Sequence, residues 1–136
     1  MKKSVWPFIA IGIFFFLFSC QNQITDSCEL EPVSFSGTFT EVQNNVFQPY
    51  CVSCHSGAQP QGGLDLSADA AHIKLVNATA VNSALLLVKP GQPDSSYLMK
   101  RLRAVDGETP MPPSAKLEQR LIGLVDLWIA NGALDD

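Results

Sequence analysis

The sequence predicts an all-α domain, and three observations carry the prediction. Apolar residues recur at three- and four-residue spacing, most clearly at Leu117, Leu121, Leu124, Val125, Trp128 and Ile129. Helix-starting chemistry precedes such segments, as in Thr38-Phe39-Thr40-Glu41, which has the form of a capping box. Apart from the run Leu85 to Val88, too short to assign as helix or strand, no segment alternates with the two-residue period of a β-strand.

With 136 residues, of which 46% are hydrophobic, the chain has room for one globular domain, and no internal repeat is visible. Residues 1–19 stand apart from that domain. Lys2 and Lys3 precede an apolar run from Val5 to Phe18, the pattern of a secretory signal. As a helix the run reaches roughly 21 Å, short of the ~30 Å hydrocarbon core of a bilayer, so export is favoured over a permanent transmembrane helix.

The run ends in Leu17-Phe18-Ser19-Cys20, which resembles the lipobox of bacterial lipoproteins; Phe18 is bulkier than the usual residue at its position. The resemblance implies a mature chain starting at an acylated Cys20, with more than one lipid chain to hold it on the membrane. Loss of Lys2 and Lys3 leaves seven basic against thirteen acidic residues, moving the formal net charge from −4 to −6. That balance argues against a nucleic-acid partner and offers a basic protein partner electrostatic steering.

Residues 20–35 are polar and lack apolar periodicity, so they read as a tether spanning about 20 Å as a flexible coil. Residues 36–136 form the expected domain. Phe39, Val42 and Val46 share a helical face, and Pro49 is expected to end or kink that helix just before Cys51. Ser56 to Gly63 reads as loop, and Ser67 is the candidate N-cap of a short helix through Val76. Lys89 to Pro93 must turn, with Asp94 or Ser95 capping a helix that carries Tyr97, Leu98, Arg101 and Leu102. The chain is irregular from Ala104 through Pro113. Ser114 is the candidate cap of the last helix, which ends at Asn131-Gly132, and Gly123 within it marks a place for close helix packing.

Cys51-Val52-Ser53-Cys54-His55 carries the chemistry. Two thiols at this spacing on one helical turn can add to the two vinyl groups of one haem, and the next residue, a histidine, can reach the iron; CxxCH is the signature of covalent c-type haem attachment. Three other readings compete. A thiol-disulfide redox pair belongs on a βαβ pattern, which is absent. A structural zinc site needs four ligands, and with Cys20 assigned to the lipid the remaining His and Cys are His72 and Cys28. A plain disulfide gives His55 no role.

Here the chain resembles the class I cytochromes c, and more closely the single-haem domains called planctomycete-type cytochrome c. The resemblance spans residues 36–134. It rests on Pro49-Tyr50-Cys51-Val52-Ser53-Cys54-His55-Ser56-Gly57, Gly63-Leu64-Asp65-Leu66, Pro90-Gly91 with Ser96-Tyr97-Leu98 and Arg101-Leu102, Met111-Pro112-Pro113, and Trp128-Ile129-Ala130-Asn131-Gly132-Ala133. It implies a small helical domain around one covalent haem c, with Cys51 and Cys54 as thioether positions, His55 as proximal ligand and Met111 as distal ligand. His/Met ligation raises the reduction potential.

Met99 and His72 are the alternatives for the sixth position, the latter giving bis-His ligation. The loop from Ala58 to Gly62 is expected to supply the carbonyl that accepts from the second ring nitrogen of His55. Lys100, Arg101, Arg103 and Lys116 are candidate partners of the haem propionates. Cys28 is an odd exported thiol without an assigned role.

The functional expectation is a lipid-anchored, single-haem electron carrier in the periplasm or facing the cell exterior, working with protein redox partners, with no small-molecule substrate and no substrate turnover. Two alternatives stand beside it: a c-haem sensor or peroxidase-like module with an open sixth iron site, and a haem-free thiol-disulfide oxidoreductase.

Overall fold

A helix can start at Phe39 because the three residues before it have their backbone donors satisfied. The structure, a computed structural model, describes residues 34–114 and 116–136; the expected leader, Cys20, Cys28 and the tether through residue 33 lie outside the described residues. Thr38 is extended and its hydroxyl accepts the Glu41 N–H at 3.2 Å. In return, the Glu41 carboxylate accepts from the N–H groups of Ser36, Gly37 and Thr38 at 3.0, 2.8 and 3.2 Å. The predicted capping box is formed and extended by two residues, Gly37 and Ser36, on its N-terminal side.

Helix α1 (Phe39–Val42) runs on through a π-helical stretch, Gln43–Phe47, into α2 (Gln48–Tyr50). The Gln48 N–H reaches back five residues to the Gln43 carbonyl, the widened ring that defines such a stretch. Pro49 has no N–H to continue the ladder, and the helix stops at Tyr50, directly before Cys51, as the sequence predicts. Phe39, Val42, Val46 and Phe47 face the core.

The next helix starts later than expected. Asp65 accepts the Ser67 N–H at 2.9 Å, and the Ala70 and Ala71 N–H groups close turns onto the Ser67 carbonyl, so Ser67 opens a turn. Helix α3 is confined to Ala71–Leu75. The short apolar run from Leu85 to Val88 lies extended beside the segment after α3 and makes two isolated bridges, Val76 with Val88 and Thr79 with Leu86. No strand is present among the described residues, and the fold is all-α, as the periodicity predicts.

A short 3-10 turn, Pro93–Ser95, leads into α4 (Tyr97–Arg103), whose cap position is Ser96 instead of Asp94 or Ser95. The Ser96 hydroxyl is fully buried and makes no cap bond to α4. It accepts the Lys89 N–H and donates to the Gln92 carbonyl, each at 2.9 Å, so it latches the preceding turn. Helix α5 (Gln119–Ala130) likewise begins past the predicted Ser114: its cap position is Glu118, with Leu117 already buried ahead of it.

Helix α5 packs against α1 and α4. Near its C-terminal end Trp128, 1% exposed, meets Phe39 and His72 at ring-centroid distances of 5.4 and 6.2 Å, and its indole N–H donates to the Leu134 carbonyl at 2.9 Å. The stretch after α5 folds onto the start of α1, where the Asp136 carboxylate accepts the Phe39 N–H at 2.6 Å. Phe35, the last residue of the expected tether, packs on this core beneath the Arg120 guanidinium.

The close approach that the sequence places at Gly123 occurs elsewhere. Gly123 faces open space, whereas a Cβ on Gly37, at φ +77°, would come within 2.6 Å of Leu127 Cγ on α5. Gly123→Ala is therefore expected to stabilise the fold by about 1 kcal/mol through helix propensity, and Gly37→Ala to destabilise it; denaturant midpoints check both signs.

Glu41 gives the fold a pH dependence. Desolvation, the largest influence, raises its carboxyl, but the backbone N–H groups of Ser36, Thr38 and Gly37 together outweigh it and hold the group below the usual carboxylate range. A depressed folded-state value means that the stabilisation is present above the unfolded-chain value and is lost as pH falls through the folded one. Urea midpoints recorded from about pH 6 down to about pH 3 should fall less steeply in Glu41→Gln than in the unaltered protein.

Candidate haem site

The Cys51–His55 segment follows from the end of α2. The Cys51 N–H still donates to the Phe47 carbonyl at 2.9 Å; then the Cys54 and His55 N–H groups both turn onto the Cys51 carbonyl, at 3.1 and 2.9 Å. This single turn brings both thiols and the imidazole to the rim of one cavity. Cys51 is half-buried and Cys54 exposed, and both thiols are free.

A loop tied at its base holds His55 in place. The Leu66 N–H donates to the His55 carbonyl at 2.7 Å, and the Gln61 N–H donates to the Cys54 carbonyl at 3.0 Å. The Gln61 carbonyl stands 2.9 Å from His55 Nδ1. A carbonyl only accepts, so Nδ1 carries the proton and Nε2 is left with its lone pair, the tautomer a metal-binding histidine needs. The acceptor expected between Ala58 and Gly62 is thus Gln61.

The cavity, about 280 Å³, is mainly apolar. Phe47, Leu64, Leu66 and Leu87 line it, α4 contributes Tyr97, Leu98, Arg101 and Leu102, and the irregular loop after α4 contributes Met111, Pro112 and Pro113. The Met111 N–H is fixed to the Arg101 carbonyl at 2.9 Å, which sets the loop against α4. All four residues expected to hold the haem, Cys51, Cys54, His55 and Met111, therefore share one cavity.

The alternatives to Met111 lie elsewhere. Met99 is fully buried in the hydrophobic core and does not line the cavity. His72 is wedged against Phe39 and Trp128, its Nε2 donating to the Ala133 carbonyl at 2.9 Å with Asp135 near its other nitrogen.

Among the candidate propionate partners, only Arg101 lines the cavity. Lys116 lines a neighbouring, more polar hollow with Tyr50 and Glu118. Arg103 pairs with Asp94 and Asp126, and Lys100 with Asp106. Paired in this way, these two serve surface ion pairs instead of the cavity.

The site has a feature that sequence reasoning missed. Tyr97, to which the sequence gives a place on a helix and in the family resemblance but no partner, directs its hydroxyl to the Glu108 carboxylate at 2.8 Å. The partner stands eleven residues on in an irregular loop, and no local pattern marks it.

The donor set fits a covalently held haem better than the competing chemistries. Burial, with the nearby Cys54 as a smaller cause, pushes the Cys51 thiol up to about 11, which disfavours its thiolate at neutral pH. Among the described residues no group of three or more His, Cys, Asp or Glu is placed to hold a metal ion, so they assemble no zinc site of that kind. An apolar cavity with two thiols at its rim, a correctly tautomerised imidazole and a thioether in its lining is the environment a haem requires.

Residues 51–115 match the family model described as Planctomycete cytochrome C, a span that starts at Cys51 and takes in Met111. No curated protein and no solved structure matches the chain. Motif, cavity and family match coincide on the same residues: residues 51–115 match a planctomycete-type cytochrome c domain, and the match supports a haem-binding module of the electron-transfer type.

Proposed function

We propose that this protein is an exported, lipid-anchored carrier of single electrons with one haem c. Cys51 and Cys54 hold the haem through thioethers, His55 and Met111 ligate its iron, and Cys20 carries the lipid. Bound there, haem supplies a one-electron ferric/ferrous couple.

The chain does the rest. Gln61 fixes the His55 tautomer and ring orientation, Phe47, Leu64 and Leu66 keep water from the cavity, and the prolines flanking Met111 stiffen the loop that carries it. The partners are redox proteins meeting the domain at a membrane surface. With fewer cationic than acidic residues, the chain favours partners with a basic docking face.

The observation that carries the proposal is the convergence of Cys51, Cys54, His55 and Met111 on one mainly apolar cavity. The ferrous protein is expected to be six-coordinate and low-spin and to leave carbon monoxide unbound. Ready carbon monoxide binding contradicts the carrier and favours a sensor or peroxidase-like module.

A further inference from the structure

We infer that Tyr97, Arg101 and Glu108 are positioning residues that staple the methionine loop to α4 and so set how readily Met111 yields its place on the iron. The inference rests on the proposed ligation by Met111 and goes beyond it.

Three bonds tie the loop to the helix, from different atoms. The Tyr97 hydroxyl donates to the Glu108 carboxylate at 2.8 Å, Arg101 Nε donates to the Thr109 carbonyl at 2.6 Å, and the Met111 N–H donates to the Arg101 carbonyl at 2.9 Å. The guanidinium and the phenol are themselves joined. Arg101 lies over the Tyr97 ring, 5.6 Å from its centroid, with one terminal nitrogen 3.3 Å from the hydroxyl.

The helix end of the staple is fixed. Tyr97 is buried, and its neighbours Leu98, Met99 and Leu102 belong to the hydrophobic core. The loop end has no comparable seat: Val105, Thr109 and Pro110 are exposed, and Met111 is only partly buried. A loop with few buried apolar contacts depends on its hydrogen bonds for its position. Removing them lets the loop, and Met111 with it, move away from the cavity without disturbing the core. Arg101, a candidate propionate partner, thus has its Nε and one terminal nitrogen committed to the loop staple.

Imidazole, which competes for the sixth position of ferric haem, reports the effect. In the haem-loaded full chain, Tyr97→Phe and Glu108→Ala are each expected to bind imidazole roughly tenfold more tightly than the unaltered protein, the scale of one lost hydrogen bond. Glu108→Gln keeps an oxygen that accepts from the phenol and is expected to stay within about twofold of the unaltered protein.

Haem content and thermal midpoint are measured on each variant. Lowered midpoints with unchanged imidazole affinity indicate packing alone and overturn the staple, as does unchanged affinity in both disrupting variants. Met111→Ala separates the two levels. If it fails to raise imidazole affinity, Met111 is no ligand and the underlying reading falls; if it does so while Tyr97→Phe and Glu108→Ala do not, only the staple falls.

Discussion

Met111→Ala is expected to lower the midpoint potential by on the order of 100 mV and to let carbon monoxide bind the ferrous protein. Axial ligands move haem potentials over a range of about 0.8 V, and a soft, neutral thioether stabilises the ferrous state relative to the ferric. Among the described residues the cavity lining holds no second thioether to replace Met111, Met99 being sealed in the core, and His72 is bound to the Ala133 carbonyl away from the cavity. A redox titration and a carbon monoxide difference spectrum make the measurement. An unchanged potential removes Met111 from its assigned role.

Trp128→Ala should have the largest effect on stability. Trp128 is among the fully buried side chains, packed against Phe39 and His72, and its indole N–H holds the segment after α5 at Leu134. Emptying such a site costs about 3–5 kcal/mol, a large share of the roughly 5–15 kcal/mol that separates folded from unfolded domains. Because α5 packs on both α1 and α4, the loss reaches the helix that lines the cavity. The expected result is a large drop in urea midpoint and poor recovery of haem-loaded protein. Trp128→Phe keeps ring packing and gives up the hydrogen bond, so it should cost less; equal losses in the two variants contradict this account.

The chemistry of the site is legible in the sequence because it depends on local spacing. Cys51, Cys54 and His55 fall on one turn by their separation alone, and the capping box at Thr38 and Glu41 is likewise local. The all-α class follows from the apolar stripe of α5.

Where tertiary contacts decide, local pattern fails. Ser67, Asp94, Ser95 and Ser114 all have cap chemistry, yet the helices start at Ala71, Tyr97 and Gln119; turn bonds occupy the residues before the first two of these. Gly37 and Gly123 cannot be told apart without knowing that Leu127 crosses over the first and solvent covers the second. The partners of Tyr97 and His72 are equally hidden, since Glu108 and Ala133 meet them only after the chain has folded. Cys20 and Cys28 lie outside the described residues.

The central claim is that two sulfurs of one turn bind haem covalently. A denaturing gel stained for haem tests it most directly, with the protein made in a host able to mature c-type cytochromes. The unaltered chain should stain at its own mass and the Cys51→Ala/Cys54→Ala variant should not. A colourless unaltered protein with both thiols open to alkylation, or a stained band that survives the double substitution, contradicts it.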